Sequence, residues 1–129
     1  PTTGWHLHTT TVNYSTGVYK HYVDGCLVLT TTSPLTLGAI DTTGVTSMRI
    51  NGILTDSRVI GTKIDDVRIW TRELSSEENR DIFFGRIPSG AVVEYTFDND
   101  TSYCVDSSGN GNHGTWVGVD SSNYIQEPT

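Results

Sequence analysis

Carboxylates, side-chain amides and glycines are concentrated in Asp106-Ser107-Ser108-Gly109-Asn110-Gly111-Asn112-His113-Gly114. Hard cations take several oxygens at once, and glycine lets a chain curl so that carboxylates and main-chain carbonyls converge, so calcium is the ion this composition suits best. The stretch is not an EF-hand, because it has no Glu at the twelfth position. The same residue types also build plain turns, in which Asp, Asn and Ser side chains bond to their own backbone.

Other chemistry-bearing residues are sparser. Of the four histidines, His6 and His8 stand two apart, so on a strand they face the same side. Two such ligands could begin a zinc site, but the sequence places no third His, Cys or acid beside them, and exposed strand positions are the simpler reading. No serine stands in a nucleophile turn. Glu77 and Glu78 fit solvated capping roles near a helix start. Pyranose faces stack on aromatic rings. Tyr14 and Tyr19 flank a loop and suit such contact, and Trp116 is a third candidate, although Trp5, Trp70 and Trp116 lie in strand contexts where core packing is the default. Cys26 and Cys104 either pair in an oxidising compartment or remain two small buried hydrophobes, and with no CxxC spacing they do not suggest zinc. Asn13-Tyr14-Ser15 and Asn99-Asp100-Thr101 fit the N-glycosylation pattern at Asn13 and Asn99.

The elements that must position these residues are mainly strands. A chain of 129 residues holds one ordinary core rather than two, so a single compact unit is expected. The net charge of −7, with only eight scattered Lys and Arg, argues against nucleic acid as a partner. No run of about 18 apolar residues is present, so no membrane insertion is expected. A start at Pro1 without Met suggests a processed product or part of a longer chain. Threonine runs at Thr9-Thr10-Thr11 and Thr30-Thr31-Thr32 favour pleated surfaces.

Strands are expected over Trp5 to Val12, Val18 to Val23 and Cys26 to Thr30, with a Tyr14 to Gly17 turn after the first. Asp24-Gly25 supplies a tight hairpin turn, since both central positions require positive φ. Leu35 to Leu37, Ser47 to Ile50 and Asp66 to Trp70 read as further strands, divided by Asp41 to Gly44 and Asn51-Gly52. In Ile64 to Trp70 the alternation puts Ile64, Asp66, Arg68 and Trp70 on one face, and Asp65, Val67 and Ile69 on the other. Ser75 and Glu78 form an S-x-x-E capping box, which predicts one short helix over about residues 76–84, ended by Gly85. Ala91 to Phe97 alternates as a strand, Thr115 to Val117 restarts one, and the tail from Asp120 is polar.

Three stretches resemble LamG-like domains, the laminin-G/concanavalin-type jelly rolls. Trp5-His6 with Tyr22-Val23-Asp24-Gly25 resembles the family's central hairpin, and Gly61 to Glu78, containing Ile64-Asp65-Asp66-Val67-Arg68-Ile69-Trp70, resembles its terminal segment. Val93 to Gly118, a strand ending in Phe97-Asp98 and then the Asp/Ser/Gly/Asn loop, resembles its opening. The order is reversed: the family's C-terminal half falls in residues 1–86 and its start in 87–129. Either tandem repeats have been cut across, or the chain is a circular permutant, in which Val92 to Phe97 would pair near Ile64 to Trp70. The permutant is the favoured reading.

The resemblance implies an all-β, two-sheet antiparallel jelly-roll sandwich with one short helix. It implies a structural calcium site formed by Asp106, Asn110 and Asn112 of the loop with Asp65 or Asp66, and Asp98 contributing. Glycosidases on the related scaffold carry E-x-D-x-x-E, which this chain lacks, so no enzyme is expected. The expected function is extracellular recognition or adhesion, with a glycan or an extracellular protein as partner. Family strands between the Gly/Asn loop and the Trp-His strand have no counterpart here, and open sheet edges invite strand addition. Self-association, or a place in a filament, virion or tail fibre, is therefore the second expectation, and an accessory module of a carbohydrate-active enzyme the third.

Overall fold

The computed structural model describes residues 4–33, 48, 50, 63–98 and 103–116. The expected strands Leu35 to Leu37 and Ser47 to Ile50, apart from exposed Met48 and Ile50, lie outside the described residues, as do both loop markers near them, Asn99, and the tail from Val117. In chain order the elements are β1 (His8–Asn13), β2 (Val18–Val23), β3 (Cys26–Thr32), β4 (Val67–Ile69), α1 (Ser76–Phe83), β5 (Val93–Tyr95), β6 (Tyr103–Cys104) and β7 (Gly114–Thr115). Strand pairs are antiparallel throughout. Among the described residues the structure is thus mainly β, in small sheets, with one short helix. Its residues group into two compact units, Pro1–Gly44 with Arg72–Ser89 and Val45–Thr71 with Gly90–Thr129.

The first unit is a β1-β2-β3 meander with α1. Asn13 turns β1 into β2 because its Oδ1 accepts from the Ser15 and Thr16 main-chain N–H groups, both at 3.1 Å, an Asx turn. Asp24 and Gly25 have φ of 51° and 76°, the left-handed pair that a two-residue hairpin needs to match strand twist. The register slips between His21 and Tyr22, a bulge in the β2–β3 ladder. Alternation then divides the sheet: Thr11 and Tyr22 are buried, while His8 and Thr10 are exposed. The Tyr22 hydroxyl meets Ser76 Oγ at 3.1 Å, and Glu73 accepts from Lys20 Nζ at 2.9 Å and Asn13 Nδ2 at 3.0 Å. These contacts tie the hairpin to the segment that enters the helix.

Helix α1 starts and stops by local rules. Ser75 Oγ accepts from the Glu78 N–H at 3.1 Å while Glu78 Oε2 accepts from the Ser75 N–H at 2.8 Å, the reciprocal capping box. Arg72 grips the same carboxylate with two bonds, at 2.9 and 2.6 Å. That fork, and then the Ser75 N–H, hold the Glu78 carboxyl down at about 2. At the other end Gly85 donates to the Ile82 carbonyl and Arg86 to that of Asp81, each at 2.9 Å, the Schellman pattern. Phe84 lies at the C-cap, so the helix closes one residue before the expected end.

In the second unit β4 pairs with β5, Val67 opposite Tyr95 and Ile69 opposite Val93. Those four side chains share one face, where Val93, Tyr95 and Cys104 form a buried cluster with Val67, Ile69, Phe97 and Trp116 against it. The other face carries Arg68, whose Nε donates to Glu94 Oε1 at 2.7 Å. Asp66 (φ 53°) and Phe97 (φ 55°) leave the two strands at the same end in left-handed conformation. The expected alternation from Ile64 to Trp70 therefore runs only from Val67 to Ile69, and Asp65 and Asp66 lie in the lead-in to the strand rather than on its two faces. The β6–β7 pair closes over the cluster: a Cβ on Gly114 would stand 3.1 Å from Cys104 Cβ.

Candidate functional site

Asp106 organises the Asp/Asn/Gly loop. Its side chain is buried, with 5% of the residue's surface exposed. Oδ1 accepts from the main-chain N–H groups of Glu94 (2.9 Å) and Ser108 (3.0 Å), and Oδ2 from that of Asn112 (2.9 Å). Burial by itself raises this carboxyl, but the N–H donors outweigh it and hold the group at about 2. The Asn110 and Asn112 amides donate to main-chain carbonyls, Asn110 to Ala91 at 3.2 Å and Asn112 to Val92 at 2.8 Å. Ser107 N–H returns to the Glu94 carbonyl at 2.8 Å, and the Tyr95 hydroxyl donates to that of Asn112 at 2.6 Å. The loop is thereby sewn to β5.

Other candidate cation ligands have other partners. Asp65 Oδ1 accepts from the Asp66 N–H at 2.9 Å, Asp66 Oδ1 accepts from Arg68 Nη2 at 3.1 Å, and Asp98 is exposed. Among the described residues no three His, Cys, Asp or Glu side chains are grouped as a metal cage. In this arrangement Asp65, Asp66, Asp106, Asn110 and Asn112 act as hydrogen-bonding groups. A chelator decides whether a cation adds to them. A loop held by its own bonds predicts the same melting temperature with and without EDTA by calorimetry, and a fall of several degrees would place an ion there.

The histidines are distributed in a way that the i, i+2 spacing does not suggest. His6 Nδ1 stands 2.8 Å from Asp24 Oδ2, at the hairpin turn. His8 Nδ1 stands 3.3 Å from His21 Nε2, and His21 Nδ1 3.2 Å from Thr10 Oγ1. Thr10 and His21 are direct cross-strand partners, and His8 is the diagonal neighbour. His113 is used by the loop, its Nδ1 accepting from the Asp106 N–H at 3.1 Å. Residue types alone could not show the His8–His21 meeting, because it depends on the β1–β2 register.

Of the aromatic candidates, Tyr14 is exposed (38%), Tyr19 is half-buried in β2, and Trp116 packs on Phe97 with ring centroids 5.7 Å apart. Trp116 thus joins the core cluster, while Trp5, taken as a core residue from its strand context, is 52% exposed. Cys26 is exposed and Cys104 is buried, each as a free thiol. Asn13 already spends both ends of its amide on the turn and on Glu73. A cleft of about 370 Å³ beside the helix is lined by Arg72, Glu78, Asp81, Arg86, Ile87, Pro88 and Ser89. Its arginines are engaged within it, Arg72 with Glu78 and Arg86 with Asp81 at 2.7 Å.

The most distinctive surface is β3, an outer strand of the meander among the described residues. All seven of its residues are exposed. Leu27, Val28 and Leu29 are exposed by 50, 56 and 50%. Cys26 to Thr32 contains no charge and no proline, the devices that usually blunt an edge. The bulge between His21 and Tyr22 displaces Val28 from the ladder and leaves Leu29 to Thr32 in regular register. Among the described residues no helix is long and apolar enough to cross a membrane. Comparison of the chain with family models, curated proteins and solved structures finds no match.

Proposed function

We propose that this chain is an extracellular, non-catalytic recognition and assembly module on a LamG-like jelly-roll plan, and that it docks by adding a strand of a second copy to β3. The observation that carries the reading is β3 itself: an exposed, uncharged outer strand with three adjacent half-exposed apolar side chains. Main-chain groups on such an edge recruit another strand, and side chains supply specificity. Covering the exposed halves of Leu27, Val28 and Leu29 would contribute on the order of 1 kcal/mol each. The permuted jelly-roll order is supported by the β4–β5 pairing, which sets the family's terminal strand beside its opening one.

Light scattering across a concentration series tests the docking. The expected mass rises above that of the 14.1 kDa monomer as concentration increases, and Val28→Lys or Leu29→Lys returns it to monomer without lowering the melt. A strictly monomeric wild type with a cooperative melt removes the reading. A second reading, glycan recognition as a free-standing or enzyme-linked module, draws on exposed Trp5 and Tyr14. A glycan array separates it: binding that falls in Tyr14→Ala while β3 variants keep it would move the function to that surface.

A further inference from the structure

We propose that His8 and His21 form a surface site for a divalent late first-row transition ion, zinc or copper, with Thr10 as its orienting residue. The separation of the two facing nitrogens carries the inference. His8 Nδ1 and His21 Nε2 are 3.3 Å apart. Two imidazole nitrogens each about 2.0–2.1 Å from a tetrahedral zinc stand about 3.3–3.4 Å from one another, so an ion could occupy the apex with little movement of either ring. The ring centroids are 5.4 Å apart and the planes are inclined by only 31°, which leaves both nitrogens facing the space between them.

The support around the pair is that of a ligand set. Metal-bound histidines commonly direct the second ring nitrogen at an oxygen, which fixes tautomer and orientation. His21 Nδ1 stands 3.2 Å from Thr10 Oγ1, and in the tautomer that donates from Nδ1, Nε2 keeps the lone pair that coordination needs. The backbone holds the geometry, because the β1–β2 register sets Thr10 opposite His21 and His8 diagonal to it. His8 is exposed and His21 half-buried on the same face of the sheet as exposed Thr10, so entry is open. Among the described residues no third His, Cys, Asp or Glu completes the group. The remaining positions are left for water or for a donor from a bound molecule, the open arrangement of a surface or bridging site rather than a closed structural one.

The alternative for the same 3.3 Å is a hydrogen bond between two neutral rings, and metal binding separates the two. Isothermal titration of the intact chain with zinc chloride, and with copper(II), should give one saturable site. His8→Ala and His21→Ala should each weaken binding at least tenfold, while Thr10→Val weakens it about tenfold through lost orientation. Electron paramagnetic resonance of the copper-loaded chain should show coupling to two imidazole nitrogens, reduced to one in either histidine variant, which reports on ligation independently of stability. No saturable binding by wild type, or unchanged affinity in both histidine variants, would overturn the proposal.

Discussion

Asp106→Ala should lower the stability of the second unit by about 2 kcal/mol, because it strips acceptors from part-buried main-chain N–H groups while the chain around them stays folded. Three donors lose their partner: Glu94 within β5, Ser108 at the loop start and Asn112 at its end. Asn110 and Asn112 would still reach the Ala91 and Val92 carbonyls, so the loop should loosen before the strands part. Asp106→Asn should cost less, since an amide oxygen can serve Glu94 and Ser108 while the NH2 faces the Asn112 N–H. Urea denaturation followed by tryptophan fluorescence reads the difference.

Acid should show the same residue from another side. The Asp106 carboxyl titrates near 2 in the fold against an ordinary 3.8, and that of Glu78 near 2 against 4.5. A carboxyl depressed in the fold stabilises fully above its unfolded value and loses that contribution as pH falls through the folded one. Both contributions are therefore intact above about pH 5 and disappear toward pH 2. In Asp106→Ala the acid limb should be shallower by one proton's uptake, while Glu78 keeps its share. An unchanged acid limb would show that Asp106 is not held down by its N–H donors.

Gly25→Val should destabilise the first unit by about 3 kcal/mol, joining backbone strain to a steric clash. Gly25 has φ of 76°, and a Cβ there would lie 3.0 Å from Arg80 Cα and 3.2 Å from Phe83 Cβ. The first neighbour is helix backbone, so relief requires α1 to shift from the hairpin turn. Gly85→Ala separates the two causes, because its φ is 77° but nothing lies within 4 Å of the added Cβ. There strain alone should cost about 1–2 kcal/mol. Equal effects at the two positions would mean that α1 does not rest against the β2–β3 turn.

The sequence was most informative where a local rule and a tertiary need coincide. Asp24-Gly25 and the Ser75/Glu78 box each specify their conformation within four residues, and β2 and α1 appear where those signals put them. The β4–β5 pairing was reached through the family resemblance, and Val67 and Ile69 face the cluster as their spacing requires. What could not be read depends on register or on side-chain direction. The two-residue strand β6 has too few residues for a period. An Asp beside Ser, Gly and Asn looks alike whether its oxygens take a cation or main-chain N–H groups, and Asp106 takes N–H groups. His8 and His21 are thirteen residues apart, and only the length of the Asn13 to Gly17 turn decides that they meet.

Strand addition at β3 is tested most directly by amide hydrogen exchange at low and high protein concentration. The account predicts that those amides of Leu29 to Thr32 that point away from β2 gain protection as concentration rises, that those of β1 do not, and that Val28→Lys abolishes the gain. Association that proceeds while β3 amides exchange at an unchanged rate would contradict it.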